Sequence, residues 1–142
     1  MTATEVPHKG GRTFGFRISD GTSSVAYVPD HLPGTVGPDG VALVAGVDVL
    51  IHDGQFLTAE SALARDYGHA TVDEAVALAL AAGVGHLVLF HHSPGRSDDQ
   101  IDRILASVLR SDLTISAAVE GRAFAVPETV AGSRRDGSVR TG

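Results

Sequence analysis

Histidine is the residue type with the most chemistry to offer in this sequence, because seven histidines occur in a chain without cysteine. They are His8, His31, His52, His69, His86, His91 and His92. Without thiolates, a transition-metal site here must use imidazole and carboxylate ligands. The sequence has no G-x-S-x-G nucleophile elbow, no P-loop and no G-x-G-x-x-G fingerprint. These residues therefore favour a metal centre over a serine triad or a nucleotide-binding loop.

Two of these histidines lie at places where α/β folds carry their chemistry. His69 precedes a predicted helix start, and His91 follows the apolar run 87–90, which has the character of a buried strand. A helix and a strand lie between them and would bring them close together despite the 22-residue separation. Side chains at the carboxyl ends of strands are frequent functional residues in such folds.

Other acids and histidines also follow predicted strands. Asp30 comes after the strand 24–28, and the pair His52 and Asp53 comes after the strand 47–51. His8 lies before a glycine-rich turn near the start of the sequence. Histidine and aspartate at successive strand ends suit a metal site.

The elements that must position these side chains have clear boundary signals. Thr71 to Glu74 has the form of a capping box, and the Ala-rich helix that follows ends at Gly83. Asp20-Gly21 between two β-prone runs predicts a hairpin of strands 13–18 and 24–28. A second capping box at Ser97 to Gln100 predicts another helix.

The remaining segments give weaker signals. A short helix is expected within 39–46, and residues 55–66 have a helical or irregular pattern. Gly121-Arg122 predicts a last hairpin between 113–120 and 123–126. We expect one domain over residues 1–127 and a disordered tail over 128–142, where apolar residues are scarce.

Composition narrows the class of protein. The 142 residues are 43% hydrophobic and 20% charged, which is typical of a globular domain. The net charge of −6 disfavours a general nucleic-acid binder, although it is compatible with phosphodiester chemistry at a metal. No apolar run reaches the roughly 20 residues of a membrane span, and no signal peptide is evident. A cytoplasmic location is expected.

Several short motifs, taken in order, resemble a known family. The segments are VPH, GFRI, AYVPDH, VLIHDGQF, GHAT and LVLFHHSP, and the resemblance that they carry covers roughly residues 5–126. This order is similar to the C-terminal half of metallo-β-lactamase-fold hydrolases, in the branch of ribonuclease Z and cyclic-nucleotide phosphodiesterase-like enzymes. The resemblance implies an α/β fold that is half of an αββα sandwich, with a mixed sheet and flanking helices.

The resemblance also implies roles for individual residues. His8, Asp30 and His91 resemble metal ligands, with Asp30 in the position that bridges two ions of zinc, manganese or iron. His69 resembles a histidine that transfers a proton near the scissile phosphate. Asp53 resembles an acid that orients His69, although the family has glutamate there. The expected substrate is a small-molecule or nucleotide phosphodiester, hydrolysed by a metal-activated water. His31, His86 and His92 are treated as structural or exposed.

One family motif is absent from the sequence. No His-x-His-x-Asp-His segment occurs, so each ion would keep only two ligands from this chain. Three hypotheses remain open. On the first hypothesis, the chain is the C-terminal half of a metal-dependent phosphodiesterase completed by an N-terminal half. Alternatively it is a truncated, non-catalytic remnant that forms a homo-oligomer or pairs with the complementary half. The third hypothesis is a module binding one zinc ion through His8, Asp30 and His91.

Overall fold

A computed structural model describes residues 1–32 and 38–126 of the chain. Within these ranges the chain forms six strands and four α-helices. The strands are β1 (Thr2–Val6), β2 (Thr13–Ser19), β3 (Ser24–Val28), β4 (Val49–Asp53), β5 (His86–Phe90) and β6 (Thr114–Ala117). The helices are α1 (Pro38–Val44), α2 (Ser61–Tyr67), α3 (Val72–Ala81) and α4 (Asp98–Val108), and a 3-10 turn (Thr58–Glu60) precedes α2.

All six strands form one mixed sheet in sequence order, β1 to β6. The β1–β2 and β2–β3 pairs are antiparallel, whereas β3–β4, β4–β5 and β5–β6 are parallel. This α/β arrangement with flanking helices confirms the expected fold class. The parallel half matters for function, because it directs the carboxyl ends of β3, β4 and β5 to the same edge of the sheet.

The hydrophobic core lies between the sheet and three of its helices. Leu50 of β4 and Leu87 of β5 pair in register and are fully buried. Helix α3 covers them through Ala75 and Ala79, whose small side chains let the helix pack closely on the sheet. Helix α1 packs on β1 and β2, and α4 packs on β6. The sheet is therefore covered on one face by a continuous layer of helices.

The opposite face of the sheet carries apolar side chains that no helix covers among the described residues. Ile18 is 53% exposed and Tyr27 is 36% exposed. The segment that follows β6 crosses part of this face, where the Phe124 ring lies 6.1 Å from the ring of His86. We call the uncovered part over β2 and β3, which includes Ile18 and Tyr27, the open face.

The observed helix boundaries agree with the capping signals. The Thr71 hydroxyl accepts a hydrogen bond from the Glu74 backbone N–H, and the Glu74 carboxylate accepts one from the Thr71 N–H at 2.9 Å. At α4, the Gln100 side chain accepts from the Ser97 N–H at 2.8 Å. Both capping boxes satisfy backbone donors that a helix start leaves unpaired.

Two details of the sequence analysis need correction. The predicted last hairpin is wrong, because β6 pairs in parallel with β5 and residues 122–126 form no strand. The apolar segment that forms β6 extends the sheet beside β5 and does not pair with the residues that follow it. Strand β1 was not predicted, since its mixture of Thr, Ala and Glu gives almost no apolar signal. The predicted tail, 128–142, lies outside the described residues. None of the described helices has the length and apolar character of a membrane span.

Candidate metal centre

The candidate site lies at the carboxyl ends of three neighbouring parallel strands. Asp30 comes two residues after β3, Asp53 is the last residue of β4, and His91 follows β5 directly. The register places Asp53 beside Phe90, so the ends of β4 and β5 are level. Side chains that are distant in sequence therefore meet at one edge of the sheet, as expected from the strand ends.

Three side chains offer donor atoms close enough to share a metal ion. One nitrogen or oxygen each from Asp30, His69 and His91 lies within 4.8 Å of the others. The His91 Nδ1 is 3.2 Å from Asp30 Oδ1 and 3.6 Å from Asp53 Oδ1. We call Asp30, His69 and His91 the ligand group.

The ligand group fits a divalent metal ion by its chemistry. Two imidazoles and a carboxylate are the nitrogen and oxygen donors that zinc accepts. The His91 Nδ1 atom is buried and lies 3.2 Å from Asp30 Oδ1, but it makes no hydrogen bond of acceptable geometry among the described residues. A buried nitrogen without a partner needs an explanation, and a metal ion held with the oxygens of Asp30 would provide one.

His69 is held by a buried carboxylate. Its Nδ1 atom lies 2.6 Å from Asp53 Oδ2, and Asp53 is fully buried. The second oxygen, Oδ1, accepts a hydrogen bond from the Gln55 N–H at 3.0 Å. Asp53 therefore fixes the tautomer of His69 with the proton on Nδ1, which leaves Nε2 as the nitrogen available for a metal or a substrate.

The backbone around Gly68 delivers His69 to this place. Helix α2 ends at Gly68, whose φ of 83° is left-handed. The His69 N–H then donates to Ala64 O at 2.8 Å. A Cβ at position 68 would lie only 2.8 Å from Lys9 Cβ and 3.0 Å from His8 Nδ1. Glycine is therefore required both for the turn and for the approach of the chain at His8 and Lys9.

His8 lies beside the ligand group without joining it. Its Nδ1 atom donates to Gly68 O at 2.9 Å, and its ring centroid lies 5.0 Å from that of His69. The backbone carbonyl holds His8 in one orientation, as commonly seen for metal-binding histidines. Of the three expected ligands, the structure brings Asp30 and His91 together, with His69 in the place expected for His8. The assignment of His8, Asp30 and His91 as ligands stays a prediction.

The backbone of His91 is unusual. Its φ of 56° is the only positive value at a non-glycine position among the described residues. A left-handed conformation costs free energy for a residue with a Cβ and is concentrated at functional sites. The conformation turns the chain sharply after β5 and directs the imidazole toward Asp30.

A second pair of histidines lies next to the ligand group. His31 and His52 are buried, with His31 Nδ1 2.9 Å from His52 Nε2. Burial lowers the pKa of His31 to about 3, and burial also lowers the pKa of His52. Sequence reasoning treated His31 as structural or exposed. Its position directly after Asp30 was the only signal that could have linked it to the site.

A family model described as "Beta-lactamase superfamily domain" matches residues 1–92. Ribonuclease Z of Exiguobacterium sp. is 36% identical over 95 residues, which is 58% of this chain and 32% of that protein. Ribonuclease Z of Saccharolobus solfataricus is 45% identical over 76 residues, 54% of this chain and 24% of that protein.

Solved structures share the fold at lower sequence identity. The short form of human tRNase Z superposes with a TM-score of 0.69 at 24% identity, covering 88% of this chain and 42% of that one. Zn(2+)-bound PqqB from Methylobacterium extorquens superposes with a TM-score of 0.59 at 23% identity, covering 82% and 47%. This chain thus spans less than half the length of each of these proteins.

The family model is the finding that decides membership. It covers well over half of the 142 residues and includes His8, Asp30, Asp53, His69 and His91. The expected resemblance is therefore confirmed, and the chain belongs to the beta-lactamase superfamily domain family, among proteins of the metallo-β-lactamase fold.

Proposed function

We propose that this chain carries part of the active site of a metal-dependent hydrolase that acts on nucleotide phosphodiesters, with RNA as the polymeric substrate. The observation that carries the proposal is the ligand group at the strand ends, with Asp53 behind His69. The ribonuclease Z relatives, matched over part of their length, support the phosphodiester class.

Each side chain of the site has a proposed task. Asp30, His91 and His8 would hold the metal, with Asp30 as the carboxylate ligand and the two histidines as imidazole ligands. The proposed metal is zinc, with manganese and iron as alternatives that the same ligands suit. A divalent ion in such a site lowers the pKa of water to about 7 and offsets charge on phosphoryl oxygens.

His69 is proposed as the proton donor to the leaving oxygen. Its Nδ1–H is directed at Asp53, so a second proton carried on Nε2 would face Asp30 and His91, where a scissile phosphate would lie. Asp53 holds the ring in this orientation through the hydrogen bond to Nδ1. His69 and Asp53 are buried and already in position, so the site needs no rearrangement before the leaving oxygen is protonated.

The open face favours a second candidate function. Apolar side chains such as Ile18 are exposed there, and an apolar patch of this kind is typical of an interaction surface. On this hypothesis the chain is a non-catalytic partner that pairs with a second copy or with a complementary N-terminal half. It predicts association without metal-dependent activity.

Elemental analysis of the purified chain, with its mass from size-exclusion chromatography, tests the two candidates. Bound zinc, lost in Asp30→Ala and His91→Ala and retained in a His86→Ala control, would support the metal site. His86 is a suitable control because it is the first residue of β5, at the opposite end of the strand from His91. Its side chain is hydrogen-bonded to that of Ser116.

Activity is measured on bis(p-nitrophenyl) phosphate and on a short RNA with a 3′ extension. Hydrolysis that is stopped by a chelator and restored by Zn²⁺ is the expected result. Association of the chain without bound metal and without hydrolysis would overturn the proposal in favour of the second candidate.

A further inference from the structure

The buried pair of His31 and His52 lies outside the ligand group but next to it, with His31 in the loop after β3 and His52 in β4. His31 follows Asp30, and His52 precedes Asp53. The two rings meet nearly edge to face, with planes at 74° and a nitrogen–nitrogen distance of 2.9 Å. No step of the proposed reaction uses either ring, so the pair needs a separate explanation.

The hydrogen bonds define which nitrogens carry protons. His52 Nδ1 lies 3.0 Å from the Asp53 backbone oxygen, which can only accept, so this nitrogen carries a hydrogen. In a neutral ring the Nε2 atom of His52 then has a lone pair, and His31 Nδ1–H must donate to it. Burial favours the neutral form of both rings, because it removes water from the charged form.

The same chain of bonds leaves one nitrogen over. His31 Nε2 is then an unprotonated acceptor, and it has no partner among the described residues. Two apolar side chains would fill this space without leaving a buried nitrogen unbonded. The cost of that nitrogen is offset by the two hydrogen bonds of the pair, from His31 Nδ1–H to His52 Nε2 and from His52 Nδ1–H to the Asp53 carbonyl.

The hydrogen bond between His31 and His52 connects two segments beyond the point where the backbone pairing of the sheet ends. The β3–β4 ladder ends with Val28 opposite His52, and the loop that carries Asp30 begins directly after it. In this loop the Leu32 N–H donates to Pro7 O at 2.9 Å, on the side of β1. The bond from His31 to His52 attaches the same loop to β4.

We propose that His31 and His52 are positioning residues that hold the Asp30 loop against β4 and thereby set the place of Asp30 in the ligand group. The inference rests on the proposed function in one respect, namely that Asp30 binds the metal. The loop attachment itself is a property of the metal-free chain and is tested separately.

The tautomers are tested by long-range ¹H–¹⁵N correlation of the imidazoles in the metal-free chain at pH 7.5. Two neutral rings with the proton on Nδ1 are expected for His31 and His52, with assignments from His31→Asn and His52→Gln. A proton on Nε2 of His52 would overturn the proposal, because the ring could then not accept from His31.

Matched variants test the positioning role. Asparagine at position 31 places an N–H donor near the position of Nδ1, whereas His31→Leu removes the donor and His31→Gln places it one methylene too far. His31→Leu and His31→Gln should weaken Zn²⁺ binding by about 10- to 100-fold, as loss of an orienting partner typically does. His31→Asn should stay within about threefold of the unchanged chain, as should a His86→Leu control.

Amide hydrogen exchange at Leu32 supplies the readout that does not need a metal. Exchange should speed up about tenfold or more in His31→Leu and His31→Gln and stay near its original rate in His31→Asn.

If this pattern appears but the unchanged chain binds no Zn²⁺, the attachment stands and the ligand role of Asp30 fails. If Zn²⁺ binds but Leu32 exchange and affinity are unchanged in all variants, the positioning role is overturned and the proposed function stands. If His31→Leu does not fold, His31→Gln against His31→Asn decides the same question.

Discussion

At the scale of single residues, the site depends on pairs in which one side chain fixes another. Asp53 fixes His69, and the Gly68 carbonyl fixes His8. These partners contribute orientation, so their removal should change chemistry more than it changes folding. Whether His69 is a metal ligand or a proton donor can be tested, because loss of bound metal and loss of turnover are measured separately.

Substitution of His69 separates these two roles. His69→Ala is expected to lower kcat on a phosphodiester by about 10²- to 10⁴-fold, the usual contribution of a general acid. Its zinc content should stay unchanged, because His8, Asp30 and His91, which are the ligands in the proposed function, are retained. Asp53→Asn should lower kcat with a smaller effect on KM. The His69 ring would keep a polar neighbour at position 53 but lose the negative charge that orients it. Elemental analysis beside steady-state kinetics checks both expectations, and loss of zinc in His69→Ala would make His69 a ligand.

The buried histidine pair predicts how stability depends on pH. Burial lowers the pKa of His31 from 6.5 to about 3 in the folded chain, so the unfolded chain binds more protons between these values. Stability therefore rises with pH across that window, and it is lost as pH falls from about 6.5 toward 3. Urea unfolding of the metal-free chain at pH 4.5, 5.5 and 7.5 measures this. In His31→Asn the slope should be smaller, because asparagine does not titrate; an equal slope would contradict the assignment.

At the scale of elements, glycine at the end of α2 controls how the histidines approach each other. Gly68 and Gly83 both end helices with a positive φ, 83° and 67° respectively. They differ in their surroundings, because a Cβ at position 83 would meet nothing within 4 Å, whereas one at position 68 would meet Lys9 and His8. The two positions therefore form a matched pair.

Alanine at each position tests the requirement for space. Gly83→Ala should lower the free energy of unfolding by about 1 kcal/mol, the cost of a left-handed conformation with a Cβ. Gly68→Ala should cost about 1–3 kcal/mol more, because the contact with Lys9 and His8 must also give way. Urea unfolding measures both. The NMR signal of the His8 ring should shift only in Gly68→Ala, and equal losses at both sites would refute the packing argument.

The elements also show how far sequence reasoning reaches. Strands β2 to β5 and both capping boxes follow from local patterns, so Asp30, Asp53 and His91 could be placed at one edge of a sheet. The approach of His69 to His91 was predicted from the helix and strand between them, and their ring centroids lie 5.2 Å apart. The left-handed turn at Gly68 and its packing on Lys9, which set the place of His69, could not be predicted, because they are tertiary features. The last hairpin was mispredicted since Gly121 signals a turn but says nothing about which neighbour β6 joins. The pairing of His31 with His52 needs the register of β3 and β4, which is a tertiary property.

At the scale of the whole molecule, the sheet has two unequal faces. Helices cover one face, and the open face leaves Ile18 and Tyr27 exposed. The chain also spans less than half of the human tRNase Z and PqqB structures that share its fold. The open face is therefore a surface on which an additional copy or a complementary part would bury exposed apolar side chains.

A charge on the open face tests whether the chain associates through it. Ile18→Lys should shift the size-exclusion mass toward a monomer if the face pairs, because association would then bury a lysine ammonium. Leu63→Lys is the control, since Leu63 is 47% exposed, close to the 53% of Ile18, and belongs to helix α2 instead of strand β2. A mass that Ile18→Lys leaves unchanged while Leu63→Lys lowers it would place the contact on the helical side.

The parallel order of β3, β4 and β5 has a consequence for how the chain folds. Parallel neighbours cannot be joined by a tight turn, so each pairing must wait for a long crossover segment to close. Asp30 and His91 are 61 residues apart in sequence and meet only when both crossovers are complete. Contacts of such long range form slowly and late. A metal ion would therefore stabilise the finished sheet by mass action without guiding the early steps of its folding.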